Sequence, residues 1–357
     1  MRRTLLLCLT LTATSVGWAQ DDWTVEDFMA ETGVREGPVP SRELPGWRPD
    51  PTIMLRTDPA DVASLAREFP DTRFVVDGAE EADVIVGSCN ADTIRGAGNL
   101  VWVQIFSSGA ERCLTVEEIR SGKVLLTNMQ KMSSPAIGEH AVAMALSLAR
   151  GLVRYAKVMP EGEWRREMTR DPDMFSVSGK TLLVVGLGGI GTAAAKRANA
   201  LGMRVIATRN SSREGPAFVD YVGLSDELPD LMGKADIIVN ALPLTSSTTG
   251  LFDKALFARA KPGAYFINVG RGGTVRTDAL VEALESGKLA GAGLDVTDPE
   301  PLPSDHPLWQ MPNVMITPHV SWAGADRRLH NMLLRENIRR YLAGDALLNV
   351  VDPERGY

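Results

Sequence analysis

The chain has 357 residues, 44% hydrophobic and 23% charged, the balance of a soluble globular protein and a soft expectation of two domains. Lys and Arg total 38 against 45 Asp and Glu, a net charge of −7, which argues against a nucleic-acid binder relying on a basic field. No apolar run reaches the roughly 18 residues of a stable membrane span. Three cysteines, Cys8, Cys89 and Cys113, and four histidines without an H-x-x-x-H pair argue against a disulfide framework or a metal site.

Residues 1–19 read as a secretory signal. Met1-Arg2-Arg3 is a basic head, 4–16 is charge-free and apolar, and Gly17 and Ala19 are small residues before a cut near Gln20. A buried N-terminal strand or helix is the bland alternative. The paired arginines suit a twin-arginine signal and an ordinary Sec signal alike. The mature protein is therefore expected in the periplasm or secreted, with a cytoplasmic location as the alternative, and Cys8 is ordinary signal filler. Residues 20–51 form a Pro-rich arm. Pro38, Pro40, Pro45, Pro49 and Pro51 predict an extended segment without regular structure over 33–51.

β and α signals then alternate. Strands are expected at 52–56, 73–76, 83–86 and 100–106, with a helix over 59–69 capped by Asp58. The run 136–155 is apolar around most of its circumference and predicts one long buried helix bridging two bodies. A second unit begins at Lys180, with strands at 181–185, 203–208, 235–242, 264–269, 293–296 and 314–317. Alternation of this kind implies parallel sheets with crossover helices.

Gly186, Gly188 and Gly191 follow a strand and open a helix, the context in which G-x-G-x-x-G is informative. The first glycine permits the tight turn, the second lets backbone approach a pyrophosphate, and the third allows close packing of helix on strand. The helix N-terminus attracts the phosphate charge. A plain βα turn is the alternative. The next strand ends Ala207-Thr208-Arg209-Asn210-Ser211-Ser212-Arg213, with no carboxylate to grip a ribose 2′-hydroxyl. Arg209 suits a 2′-phosphate and predicts NADP(H) over NAD(H), unless it belongs to a solvated basic loop.

Three polar clusters sit at later strand ends, where open α/β sheets bind ligands: 268–273, 293–302 and 313–319. Arg271 can pair with a substrate carboxylate and polarise a carbonyl, His319 can exchange a hydroxyl proton, and Glu300 can orient the imidazole and favour its charged form. Of the remaining histidines, His140 reads as a hydrogen-bonded core residue, His306 as part of a turn and His330 as an exposed helix residue. Cys89 and Cys113 could pair after export, though nothing in their spacing demands it.

Together V-G-L-G-G-I-G (185–191), A-L-P-L-T (241–245), I-N-V-G-R-G (267–272), L-D-V-T-D-P-E-P-L (294–302), D-H-P-L-W (305–309) and I-T-P-H (316–319) resemble the D-isomer-specific 2-hydroxyacid dehydrogenase family over roughly residues 52–345. The resemblance implies two doubly wound parallel-sheet α/β domains, Rossmann- and flavodoxin-like, with a cleft between them. Residues 52–137 and 318–357 would form the substrate domain and 138–317 the dinucleotide-binding domain. It implies that Arg271 binds substrate, that Glu300 pairs with the acid/base His319, and that Ser108-Gly109-Ala110 holds the substrate carboxylate through backbone N–H groups. Cofactor contacts would come from Gly186, Gly188, Gly189, Ile190, Gly191, Arg209, Leu242, Pro243, Val269 and Gly270, with Asp295 on the nicotinamide carboxamide. The expected reaction is hydride transfer between NAD(P)H and a small 2-oxo or D-2-hydroxy acid, in a homodimer. A non-catalytic dinucleotide-sensing interaction protein on the same fold, as in the co-repressor branch, is the competing expectation.

Overall fold

The computed structural model describes residues 23–170 and 174–356, so the expected signal at 1–19 lies outside the described residues. Five strands, β2 (Thr52–Leu55), β3 (Arg73–Val75), β4 (Val84–Val86), β5 (Trp102–Gln104) and β6 (Leu125–Thr127), form one parallel sheet in the order β3-β2-β4-β5-β6. Seven more form a second parallel sheet: β7 (Thr181–Val185), β8 (Arg204–Arg209), β9 (Tyr221–Leu224), β10 (Ile237–Asn240), β11 (Ala264–Asn268), β12 (Leu289–Leu294) and β13 (Val314–Ile316). Their order, β13-β12-β11-β10-β7-β8-β9, reverses direction between β7 and β10, the switch point at which such sheets bind ligands. The expected pair of doubly wound sheets is therefore present. Strands β6 and β9 were not among the expected elements, and β12 starts at Leu289, four residues before the expected strand.

The inner strands are buried on both faces, where a few consecutive Val, Ile and Leu suffice, whereas the edge strands β3, β9 and β13 are only partly buried. Two crossings join the sheets. The first helix, Ser134–Ala149, follows β6 and packs on the seven-stranded sheet against the helix Gly189–Ala200. Gly138 makes the approach possible, because a Cβ there would press on Ala193. The second helix, Arg327–Ala343, returns Leu329, Leu333, Leu334 and Ile338 to the core of the five-stranded sheet.

Three expectations need correction. The 136–155 run is two helices, Ser134–Ala149 and Leu152–Val158, bent by 70° at Gly151, whose φ of 66° no helical residue adopts. The Pro-rich arm carries regular structure. A helix, Val25–Thr32, is closed by a Thr24/Asp27 capping box, and β1 (Glu36–Pro40) pairs antiparallel with β14 (Ala346–Leu348). Pro38 and Pro40 are tolerated because this ribbon has only two strands, so a missing N–H costs no inner ladder bond. His330 is half-buried rather than exposed, its Nε2 lying 3.1 Å from Ser133 Oγ. His306 does belong to a turn, its Nδ1 accepting from the Leu308 N–H at 3.3 Å.

Candidate active site

The glycine-rich turn leaves β7 at Gly186, whose φ of 96° requires glycine, and the following helix starts at Gly189. A Cβ on Gly191 would collide with the Gly186 carbonyl oxygen and Val184, whereas one on Gly188 would meet only open space. The turn thus has its helix packed tightly behind it and an open backbone face in front, the shape that admits a pyrophosphate. Arg209 closes one side. Its Nε donates to the Leu187 carbonyl at 3.2 Å, which holds the guanidinium beside the turn at the end of β8. Arg213, the second cation of that segment, is engaged elsewhere, on Glu227 at 2.7 Å and Tyr221. Opposite, Gly270 lies against Leu242 so closely that a Cβ would strike the Leu242 backbone, which brings the 241–245 and 269–271 loops side by side. These residues fit a dinucleotide.

Beneath Arg271 runs a buried polar chain. Asn240 Nδ2 donates to Asn268 Oδ1 at 3.0 Å and to Thr274 Oγ1 at 2.7 Å. Thr274 Oγ1 in turn donates to the Arg271 carbonyl at 2.6 Å. This fixes the backbone that presents Arg271. Its side chain crosses to the other sheet: Nε donates to Glu111 Oε1 at 2.8 Å, Nη1 to the Gly270 carbonyl at 2.9 Å, and Nη2 lies against Gly109.

The Ser108-Gly109-Ala110 loop that it meets follows β5. Asn128 Nδ2 holds the Ser108 carbonyl at 2.8 Å, and Ser107 Oγ holds that of Gly109 at 2.9 Å. Among the described residues, none accepts from the N–H groups of Ser108, Gly109 and Ala110. Three unused donors beside a guanidinium suit a carboxylate. Just beyond, Cys113 is disulfide-bonded to Cys89 at the end of β4, across a Cα separation of 5.3 Å.

His319 follows β13 in a left-handed conformation, φ 55°, held by its N–H to the Asp295 carbonyl at 2.8 Å and by Trp322 Nε1 on its own carbonyl at 3.1 Å. Its Nδ1 lies 2.6 Å from Glu300 Oε1, both side chains being partly exposed. That bond fixes the ring and leaves Nε2 without a protein partner among the described residues. Asp295 is buried beneath this loop. Its Oδ1 accepts from Thr317 Oγ1 at 2.6 Å and from the Val320 N–H at 2.9 Å, and its Oδ2 from the Ser321 N–H at 3.1 Å. Burial alone would raise its pKa, but the hydrogen bonds from Ser321, Thr317 and Val320 outweigh this and hold it below the usual carboxylate value. Asp295 therefore braces the His319 loop. His140 is half-buried, as a hydrogen-bonded residue, with Nε2 3.0 Å from Thr317 Oγ1 and 3.9 Å from Asp295 Oδ1.

The structure brings Arg271 to Gly109 and His319 to both Glu300 and the Asp295 backbone. Sequence reasoning missed Glu111, the Asn240–Asn268–Thr274 chain, and Thr317 and Ser321 around Asp295. A signal existed for the first, a carboxylate placed directly after the Ser-Gly-Ala loop, and for Thr317, which lies inside I-T-P-H.

The family model for the NAD binding domain of D-isomer specific 2-hydroxyacid dehydrogenases matches residues 142–321. A glyoxylate/hydroxypyruvate reductase B of Enterobacter sp. (strain 638) is 34% identical over 307 residues, 85% of this chain and 91% of the relative. A hydroxypyruvate reductase of Thermotoga maritima is 34% identical over 78% of this chain and 90% of its own length. Among solved structures, a D-isomer specific 2-hydroxyacid dehydrogenase from Xanthobacter autotrophicus Py2, in complex with NADPH and MES, is 29% identical with a TM-score of 0.75. That likeness covers 86% of this chain and all of the other. An NADPH-dependent glyoxylate/hydroxypyruvate reductase from Sinorhizobium meliloti, in complex with NADP and sulfate, is 29% identical with a TM-score of 0.73, over 86% and 99%. The chain belongs to the D-isomer specific 2-hydroxyacid dehydrogenase family.

Proposed function

We propose that this protein reduces small 2-oxo acids to D-2-hydroxy acids, and catalyses the reverse oxidation, with glyoxylate and hydroxypyruvate as the first substrates to try. The observation that carries the reading is the His319–Glu300 pair at 2.6 Å together with Arg271 beside three free N–H groups. Residues 138–317 carry the dinucleotide; 52–137 and 318–357 carry the substrate. A bound nicotinamide cofactor supplies the hydride. The Ser108–Ala110 N–H groups and the outer nitrogens of Arg271 hold the substrate carboxylate, and Arg271 polarises the carbonyl. His319 Nε2 donates its proton to the oxygen as negative charge develops there, and Glu300 on Nδ1 stabilises the charged imidazole before transfer. In oxidation the same nitrogen takes the hydroxyl proton. Half-buried Ile190, Leu242 and Pro243 would line the cofactor face, Val269 packs into the core behind it, and the Asp295 carboxylate would receive the carboxamide. NADP(H) is preferred because Arg209 stands where a ribose-binding carboxylate would. Screening NADPH and NADH oxidation against a panel of 2-oxo acids tests this; no turnover of any of them overturns it.

Two further proposals accompany it. The protein is exported and matures near Gln20, a reading supported by the layout of 1–19 and by the Cys89–Cys113 bridge, since such bridges persist in oxidising compartments. Cell fractionation with N-terminal sequencing decides this, and an uncleaved cytosolic chain overturns it while leaving the catalytic reading untouched. The assembly is a homodimer. Leu152, Met159 and Trp164, 55%, 75% and 93% exposed within one short segment, offer an apolar surface for a second copy. Light scattering of the purified protein measures the mass; a monomer removes the proposal.

A further inference from the structure

We propose that Glu111 is a positioning and specificity-determining residue: it fixes the guanidinium of Arg271 for the substrate carboxylate and limits the site to 2-oxo acids bearing a single carboxylate. The inference rests on the reading above that Arg271 receives the substrate.

An unengaged arginine side chain samples many rotamers, so a fork that must meet a carboxylate in one geometry gains from being held beforehand. Here two of the three guanidinium nitrogens are engaged. Nε is on Glu111 Oε1 at 2.8 Å and Nη1 on the Gly270 carbonyl at 2.9 Å, which fixes the plane. The donors left over are those of Nη2, which lies against Gly109 together with Glu111 Oε2, and the second hydrogen of Nη1. They turn towards the loop whose three N–H groups have no acceptor. Glu111 directly continues that loop, so one ion pair sets both the direction of the arginine and its distance from the backbone donors. With 27% and 36% of the two side chains exposed, the pair is part of the cleft and not a solvated surface contact.

Charge supplies the second half. At the substrate position Arg271 stands against Glu111, with Glu300 on His319, which is charged only when protonated. One substrate carboxylate is matched by Arg271. A second would lie in the field of Glu111, which stands beside both Arg271 and Gly109, so 2-oxo dicarboxylates are selected against by repulsion rather than by size. Arg56, exposed at the end of β2 on the same sheet edge, is the cation that would have to serve them otherwise.

The test uses the full mature protein with NADPH, comparing the parent with Glu111→Gln, Glu111→Asp, Glu111→Ala and Arg271→Ala on glyoxylate, hydroxypyruvate and 2-oxoglutarate. Glu111→Ala is expected to lower glyoxylate kcat/KM at least about tenfold, as loss of a charge-assisted contact does. Glu111→Gln, which keeps an acceptor but no charge, should retain more of kcat and raise the 2-oxoglutarate to glyoxylate ratio of kcat/KM by about fivefold or more. Glu111→Asp, with the charge but less reach, should keep the parent ratio at a reduced rate. NADPH binding, followed by fluorescence, should be the same in all, which separates these effects from misfolding. An inactive Arg271→Ala beside Gln and Ala variants that match the parent in rate and ratio overturns the role of Glu111 alone. A parent that already accepts 2-oxoglutarate as well as glyoxylate, and loses it in Arg56→Ala, overturns the specificity half. A parent inactive on every 2-oxo acid removes the underlying reading and this inference with it.

Discussion

The strand ends of the two parallel sheets meet at the Arg271–Glu111 pair but are held in different ways. On the seven-stranded sheet, buried side chains brace the loops from beneath: Asn240, Asn268 and Thr274 under Arg271, and Asp295, which accepts from the Thr317 hydroxyl and the Ser321 N–H, under His319. The five-stranded sheet also has a buried polar network, but it serves another end. Gln104 Oε1 accepts from Thr127 Oγ1 at 2.7 Å and from Asn337 Nδ2 at 3.0 Å, which fixes the returning Arg327–Ala343 helix and leaves the Ser108–Ala110 loop aside. That loop is held instead by single hydrogen bonds, one disulfide and one ion pair. A site that moves a proton needs its groups fixed to fractions of an ångström. A loop that wraps substrate gains from being tethered at its ends and free between them.

That contrast can be broken from either side. His319→Ala, on the braced side, has the largest expected effect: kcat should fall at least about 100-fold, in the range of lost general acid–base catalysis, while NADPH affinity is retained. Steady-state kinetics with parallel fluorescence titration check both halves.

Asp295→Ala tests the brace itself. It removes the acceptor of the Val320 and Ser321 N–H groups and leaves the Thr317 hydroxyl only His140, and should cost about 3–5 kcal/mol of unfolding free energy in urea titrations. The pH dependence carries a sign. A carboxylate held below its unfolded value stabilises the fold above about pH 4 and loses that contribution as the pH falls through the lower folded value. The difference between parent and variant should therefore shrink on acidification below pH 4. A gap that widens there would show that Asp295 is not held as a carboxylate by these donors.

The tethered side predicts a different pattern. The Cys89–Cys113 bridge closes a sequence separation of 24 residues, and its loss in Cys89→Ser should cost about 3 kcal/mol through the freedom regained by the unfolded chain. Substrate KM should rise while the NADPH dissociation constant stays put, and a reducing agent should reproduce the shift in the parent. A variant in which cofactor affinity falls as far as substrate affinity would erase the distinction between the two regions. The smallest effect belongs to Arg209→Asp, which should move selectivity towards NADH by the roughly 1.5–3 kcal/mol of one charge-assisted hydrogen bond, ten- to a hundredfold. Equal kcat/KM with both cofactors in the parent would show that Arg209 is merely solvated.

The amino-acid sequence by itself determined whatever is local or periodic. The β-branched and leucine runs specified most strands, and the spacing of Gly186, Gly188 and Gly191 specified the turn, because φ, close approach and helix start are set within a few residues. Arg271, Glu300 and His319 were legible as candidates since each lies in a loop that follows a strand, inside an ordered run of motifs. Only the tertiary structure decided what depends on distant segments meeting. Glu36 pairs with Leu348 across nearly the whole chain, and that partner, not the local sequence, made a strand of a proline-rich arm. Strand β9 is four residues at a sheet edge, too brief for a pattern to stand out. Gly151 breaks a run whose apolar character continues through it, so composition concealed the 70° bend. The partner of Arg271 lies 160 positions away and that of Cys89 lies 24. A contact across a cleft follows from how two sheets are set against each other, and no local propensity encodes that distance.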